Sequence, residues 1–389
     1  MNRPRVAVSV AFLAFGIAAG SVIPRLPAFK DHLHLTDGQV GVALLGLSLG
    51  GIAGALLSRL VIRRDARLYA RLTVAVLCVT LVGPGLATNL WELFLSFLLI
   101  GSCCGFLDVL VNAQGTQLEN TEGRPLINRF HGFWSLGALT GSLVAAGAAY
   151  ANITPLQQFA TVGVVTGVAS AWFVRDLPEL APPHLWGGGA GGAGGALRIA
   201  TTAVAAMCFA SVIAEGGTSD WSPLFLRELS HASPALAAAG FSGFTLAATL
   251  VRFRADRITA RTSRRTVARA GATIAVAGLA LAIAFPALPT ALIGFALVGM
   301  GTAVVLPIAF AAGANLSHTG TPLALVMAST YAGTIAGPPT IGAMADHIGL
   351  RGAMAIPLLA AVVVLLLAGT LQRAQARPQT NRITASIPR

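Results

Sequence analysis

From Val6 to Gln372 the chain runs through twelve stretches of about 20 residues that are almost wholly apolar, with prolines and charges gathered between them. They fall at 6–23, 38–60, 69–87, 91–115, 129–150, 155–174, 199–221, 235–253, 268–286, 289–311, 322–345 and 352–372. About 20 apolar residues in a helix cover the hydrocarbon thickness of a bilayer, and a helix satisfies its own backbone polar groups there. The pattern predicts an all-α membrane protein with 12 transmembrane helices, which leaves no room in 389 residues for a sizeable soluble domain.

Only 10% of the residues are charged, against about a quarter in a soluble domain. Twenty-six Lys and Arg against 14 Asp and Glu give +12, a surplus that in a soluble chain would suggest nucleic acid as a partner. Position decides otherwise. With a cytoplasmic N-terminus, 22 of the 26 cations fall on the cytoplasmic side, leaving Arg25, Lys30, Arg227 and Arg351 outside. That split follows the positive-inside rule. It predicts a multi-pass protein of the cell membrane with both termini cytoplasmic, the lipid bilayer around it and no nucleic acid partner. Arg3, Arg5 and the apolar run to Gly20 could pass for a signal peptide. Its removal would break the parity of the spans, so a retained first span is expected.

Lys30 is the sole lysine and follows Phe29, so no Walker A loop exists and ATP-driven pumping of that kind is excluded. Cys78, Cys103, Cys104 and Cys208 sit in apolar stretches without metal-ligand spacing and read as packing residues. Neither a cofactor nor a metal is expected.

Residues 175–198 contain Pro178, Pro182, Pro183 and the run Gly187 to Gly195, the composition of a flexible cytoplasmic linker. It separates an N-terminal six-helix half, 1–174, from a C-terminal six-helix half, 199–372, followed by a tail, 373–389. A shift of 199 maps Pro24 onto Pro223 and Gly41 onto Gly240, and a shift of 198 maps Gly101 onto Gly299. In each half the charge-rich loop, Arg59 to Arg71 or Arg252 to Arg269, follows the second helix. Two parallel six-helix repeats are thereby expected.

Ionisable groups inside a bilayer are costly unless they face a cavity or a partner, so each is a candidate. Gly101, Gly105, Asp108 and Asn112 recur at i, i+4, i+7 and i+11 on one face of the fourth span. Asp108 lies about 25 Å down that helix, towards the cytoplasmic mouth. There Asp108, Asn112, Arg129 and His131 could form a cytoplasmic gate, or a permanent network tying the fourth and fifth helices. Ser211, Glu215, Thr218 and Ser222 repeat the spacing in the seventh span, with Glu215 about 24 Å from its cytoplasmic start and so towards the outside. Arg25 ends the first span on that side, so a pair with Glu215 or Asp220 would make an outer gate. Gln114, Trp134 and Tyr331 complete the expected cavity residues.

Several segments resemble a known family. Arg252-Phe-Arg-Ala-Asp256-Arg257 resembles the second-half copy of the cytoplasmic signature of the major facilitator superfamily. The first-half copy, Gly54-Ala-Leu-Leu-Ser58-Arg59 with Arg63 and Arg64, carries Ser58 where the family usually has an aspartate. Pro24-Arg25-Leu-Pro27, Leu35-Thr36-Asp37-Gly38, Gly105 to Gln114, Phe130-His131-Gly132-Phe-Trp134-Ser135, Glu215-Gly216 and Asp220-Trp221 are more specific. They resemble the YbjJ/MosC-like branch of that superfamily across nearly the whole chain.

The resemblance implies a major facilitator fold and a secondary active transporter moving a small solute across the inner membrane by alternating access. Proton coupling and direction, efflux or uptake, stay open, and the solute is either sugar- or polyol-like or an amphipathic drug. A monomer is expected, and an enzyme is not. The alternatives are a membrane-embedded enzyme using Asp108 with His131, and a non-transporting sensor, which the lack of an appended domain argues against.

Overall fold

The computed structural model describes residues 3–61, 65–123, 126–180, 195–316 and 321–371, and no strand occurs among them. In chain order the long helical segments are α1 (Arg3–Val22), α2 (Asp37–Val61), α3 (Ala66–Thr80), α4 (Leu90–Glu122), α5 (Ile127–Tyr150) and α6 (Pro155–Phe173). They continue with α7 (Gly195–Glu228), α8 (Pro234–Arg252), α9 (Arg264–Ala284), α10 (in two pieces, Leu288–Thr302 and Val305–Leu316), α11 (Thr321–Ala353) and α12 (Ala355–Leu367).

Nine of the described segments are long and apolar enough to cross a membrane, and α11 with α12 forms a further pair bent by 68°. Gly349, at φ 75, breaks the helix where this turn is made. The segment α6 opens with Gln157 and Gln158 and is not among the nine. The expected twelve is thus matched in number of long helices, and only in part by length and apolarity.

Local chemistry sets the helix starts. Asn89 accepts from the N–H groups of Trp91 and Glu92 at the head of α4, and Thr154 with Gln157 forms a capping box on α6. Glu119, near the end of α4, accepts from the N–H groups of Leu126 and Ile127 and so caps α5.

Helices meet through small residues. Gly46, Gly50 and Gly54 of α2 lie against the carbonyls of Phe94, Leu98 and Ser102 of α4, while Gly101 and Gly105 lie against Leu47 and Gly51 in return. A Cβ at any of these would collide with backbone. Without a hydrophobic drive between helices in lipid, such close backbone approach supplies the packing. The apolar bulk points outward instead: Leu60, Val79, Val168, Trp172 and Leu366 are all more than 65% exposed. An apolar surface on this scale suits lipid, not water.

Prolines inside helices release carbonyls that other groups take up. Pro223 in α7 cannot donate to Ser219, and the Ser222 hydroxyl donates to that carbonyl at 3.0 Å instead. Pro338 in α11 frees the carbonyl of Thr334, which accepts from the Ser48 hydroxyl of α2 at 3.0 Å. Since α7 continues through Pro223 to Glu228, it runs two turns beyond the expected end at 221. It also begins at Gly195, inside the expected linker 175–198, because the apolar run after the glycines propagates the helix backwards. Residues 177–180 lie against α4, where Gln114 and Gln117 donate to the carbonyls of Pro178 and Glu179, so this part of the linker is docked.

Candidate functional site

A cavity of about 380 Å³ lies between the halves, walled by α1, α2, α4 and α5 from one and by α7, α8 and α11 from the other. Most of the wall is apolar and partly aromatic: Phe15, Leu44, Ile100, Trp134, Phe241 and Phe244. Three charged side chains enter it, Glu215, Asp220 and Arg252. Arg252, the last residue of α8, reaches back along the cavity and donates from Nη2 to Glu215 Oε1 at 2.8 Å. Asp220 is on the next turn of α7, its Oδ1 3.0 Å from the Ser219 hydroxyl. A larger groove of about 560 Å³ lies between α3 and α6, but its wall of Val79, Val164 and Val168 faces the lipid side of the bundle.

One end of the cavity is closed by ties between the halves. Lys30, after α1, contacts both Asp37 of α2 and Glu228 of α7. Asp31 faces Arg227 at 3.9 Å, and the Thr36 hydroxyl donates to Asp346 of α11 at 3.0 Å. Beneath these, Gly41 packs on the carbonyl of Pro338 and Gly342 on that of Asp37. The Ser48 to Thr334 bond and a bond between Ser142 of α5 and Ser242 of α8, 3.0 Å, complete the seam.

At the opposite end, where the chain crosses between the halves, Asn112 donates to Asp108 Oδ1 at 2.8 Å, and its own oxygen is 3.0 Å from Nε2 of His131. The expected grouping of Asp108, Asn112 and His131 is therefore present. Its bonds join α4 to α5, two helices of the same half, so as bonded it ties that half together and does not bridge the two. The other half comes near at Gly132, whose Cα faces the Phe253 ring beside Arg252. Arg129 is not in the group; it is exposed on a shallow flank groove with Arg5 and Phe133.

Other expectations need correction. Arg25 does not meet Glu215 or Asp220: it is 5% exposed and donates to the Ile153 carbonyl at 2.6 Å, linking α1 to the end of α5. Glu215 pairs with Arg252 instead, because α7 continues to Glu228 and Glu215 lies nearer its middle than its end. Gln114 is fully buried on the docked residue Pro178, away from the cavity. Tyr331 is 44% exposed on α11 and is not part of the cavity wall. Trp134 does line it, tilted against Phe15, with its indole N–H buried and unpartnered.

Of the signature residues, Gly54 is the backbone contact with Ser102 and Arg59 is exposed at the end of α2. Arg63 lies outside the described residues, and of the second copy the structure places Arg252 in the cavity. The backbone of Asp256 and Arg257 is in a short helix, Ala255–Arg261, their side chains lying outside what is described. The ties through Lys30 and Glu228 were missed by sequence reasoning, which ended the seventh span at 221 and left Glu228 in a loop.

The sequence model of the Major Facilitator Superfamily matches residues 8–318 and 204–386. The chain belongs to this superfamily. Among superfamily relatives, the uncharacterized transporter y4wD of Sinorhizobium fredii is 32% identical over 374 residues, 94% of this chain and 97% of that protein. Membrane protein MosC of Rhizobium meliloti is 27% identical over 371 residues, 92% of this chain and 88% of MosC. Among solved superfamily structures, the nucleoside transporter NupG aligns with a TM-score of 0.67 at 15% identity, covering 97% of this chain and all of NupG. FucP in the outward conformation aligns at 0.61 and 17%, covering 95% and 98%. At such identity these two structures establish the fold alone. The chain is accordingly a multi-pass membrane transporter of the major facilitator kind, a family whose members bind small molecules within the membrane.

Proposed function

We propose that this protein is a secondary active transporter that moves a small solute across the inner membrane through the cavity between its halves, by alternating access. The observation that carries the reading is the asymmetry of the seam. Side-chain ties and backbone contacts between the halves gather at the Lys30 end, and the charged cavity residues Glu215, Asp220 and Arg252 lie beyond them. Rocking of the halves would open that end and close the other.

With the linker and both termini in the cytoplasm, as the cation distribution suggests, the closed end faces outward. Exposed Trp91 near that end, and exposed Trp172 with Arg175 stacked 4.0 Å over its ring at the other, are the anchors expected at two membrane interfaces. Asp108 and Asp220 are the carboxylates on which proton coupling would rest. An enzyme is not supported, since the family is one of transporters, the relative y4wD is named as one, and Asp108 bonds only to Asn112 among the described groups.

The test is a reversible lock. Cysteines replacing Thr36 and Asp346, oxidised to a disulfide in proteoliposomes, should abolish solute flux, and reduction should restore it. Flux that continues in the oxidised, cross-linked protein would end the alternating-access reading.

A further inference from the structure

The class of solute can be read from the charge left over in the cavity, on the premise that the cavity is the transport site. Glu215 is satisfied by Arg252, and Arg252 is in turn held by Glu215 and by the carbonyl of Ala303. Asp220 has no cation within ion-pair distance among the described residues; its carboxylate accepts a hydrogen bond from the Ser219 hydroxyl, and Glu215 adds a like charge nearby. A carboxylate in such apolar surroundings is costly until a positive charge meets it.

We propose that the cavity binds a small organic cation, a protonated amine on an apolar or aromatic body, with Asp220 as its counter-charge. Phe15, Trp134, Phe241 and Phe244 line the cavity with aromatic rings, side chains of the kind that attract a cation and cover its carbon body. About 380 Å³ is at the small end of the range for ligand sites and suits a solute of ten to fifteen heavy atoms or so.

The same wall argues against the other classes. An anion would face two carboxylates and one guanidinium already engaged. A polyol needs many free hydrogen-bonding groups, yet Ser48 is committed to Thr334 and Ser219 to Asp220.

The experiment is calorimetric titration of the full chain in detergent with three near-isosteric probes: 2-phenylethylammonium, 2-phenylethanol and 3-phenylpropanoate. The ammonium should bind roughly tenfold or more tightly than the alcohol, and the carboxylate should not bind measurably. Asp220→Asn should erase the preference for the ammonium, Asp220→Glu should keep it, and Glu179→Gln, at an exposed carboxylate, should leave it unchanged. The comparison of probes on the unaltered protein does not depend on any variant folding. Equal or tighter binding of the alcohol or the carboxylate overturns the proposal, and so does an ammonium affinity unchanged in a folded Asp220→Asn. Flux in proteoliposomes separates the two readings: flux of another solute without ammonium preference removes only the cation, and ammonium binding without any flux removes only transport.

Discussion

Arg252 and Glu215 carry the strongest polar contact of the cavity, and its strength depends on both being present. Removing one partner of a fully buried pair costs about 3–5 kcal/mol; here the Arg252 side chain is 35% exposed, so about 1–3 kcal/mol is expected for Arg252→Met. Thermal unfolding in detergent should show that loss, and adding Glu215→Gln should recover most of it. If the double variant instead loses the sum of the two singles, the groups are not coupled. Asn112 holds Asp108 on one side and His131 on the other, so Asn112→Ala should cost about 1–2 kcal/mol by the same measurement. That group was legible beforehand because residues four apart share a helix face, and because the start of α5 must return at the depth where α4 ends. The pairing of Glu215 was not legible. Depth was counted along a helix presumed to stop at 221, and an arginine side chain reaching back from a helix end leaves no mark in hydropathy.

The element scale is governed by small residues and by prolines. Gly54 of α2 faces the Ser102 carbonyl of α4, so Gly54→Leu must force the helices apart and should cost about 1–3 kcal/mol of thermal stability. Gly243→Ala is the contrast, since a Cβ there meets nothing within 4 Å and helix propensity favours alanine; it should leave stability equal or higher. Spacing in sequence suggested that glycines let a neighbour approach, but not which neighbour, because the partner helix is set by packing across the half. Pro338 shows the same limit. From sequence its kink could be packing or hinge, and the structure gives the freed Thr334 carbonyl to Ser48 of the other half. Ser48→Ala should therefore cost about 1 kcal/mol in the native protein and much less when Pro338→Ala lets the helix reclaim that carbonyl. Equal costs in both backgrounds would show that the cost of losing Ser48 does not come through the carbonyl freed by Pro338.

At the scale of the whole molecule, two six-helix halves meet along α2 with α11 and α5 with α8, and side-chain ties hold one end of that seam shut. Lys30→Met removes the cation shared by Asp37 and Glu228, leaving two carboxylates of opposite halves to repel each other. Spin labels at His32 and His231, in a cysteine-free background, should then report a longer and broader distance by double electron–electron resonance than in the native sequence. An unchanged distribution would show that the remaining contacts, Thr36 with Asp346, Asp31 with Arg227, the glycines and the serine bonds, hold the seam without Lys30. An all-α protein of many apolar spans was readable from the apolar runs, and the long helices match the expected twelve in number; the sidedness rests on cation placement alone. Which end is closed was not readable, since closure is set by a few side-chain ties, such as Lys30 to Glu228 and Thr36 to Asp346, that leave no mark in hydropathy.

Lys30 is also the only lysine among 389 residues. Apart from the α-amino group, every amine-directed reagent, whether an acylating dye, a fixative or a coupling resin, must react at this one seam residue. The amine is engaged by two carboxylates, so if the halves rock as proposed its labelling should quicken as the seam opens, and each acylated molecule will have lost the charge shared by those two acids. Routine lysine chemistry thus falls on the seam itself, a reason to immobilise or label the protein through other side chains.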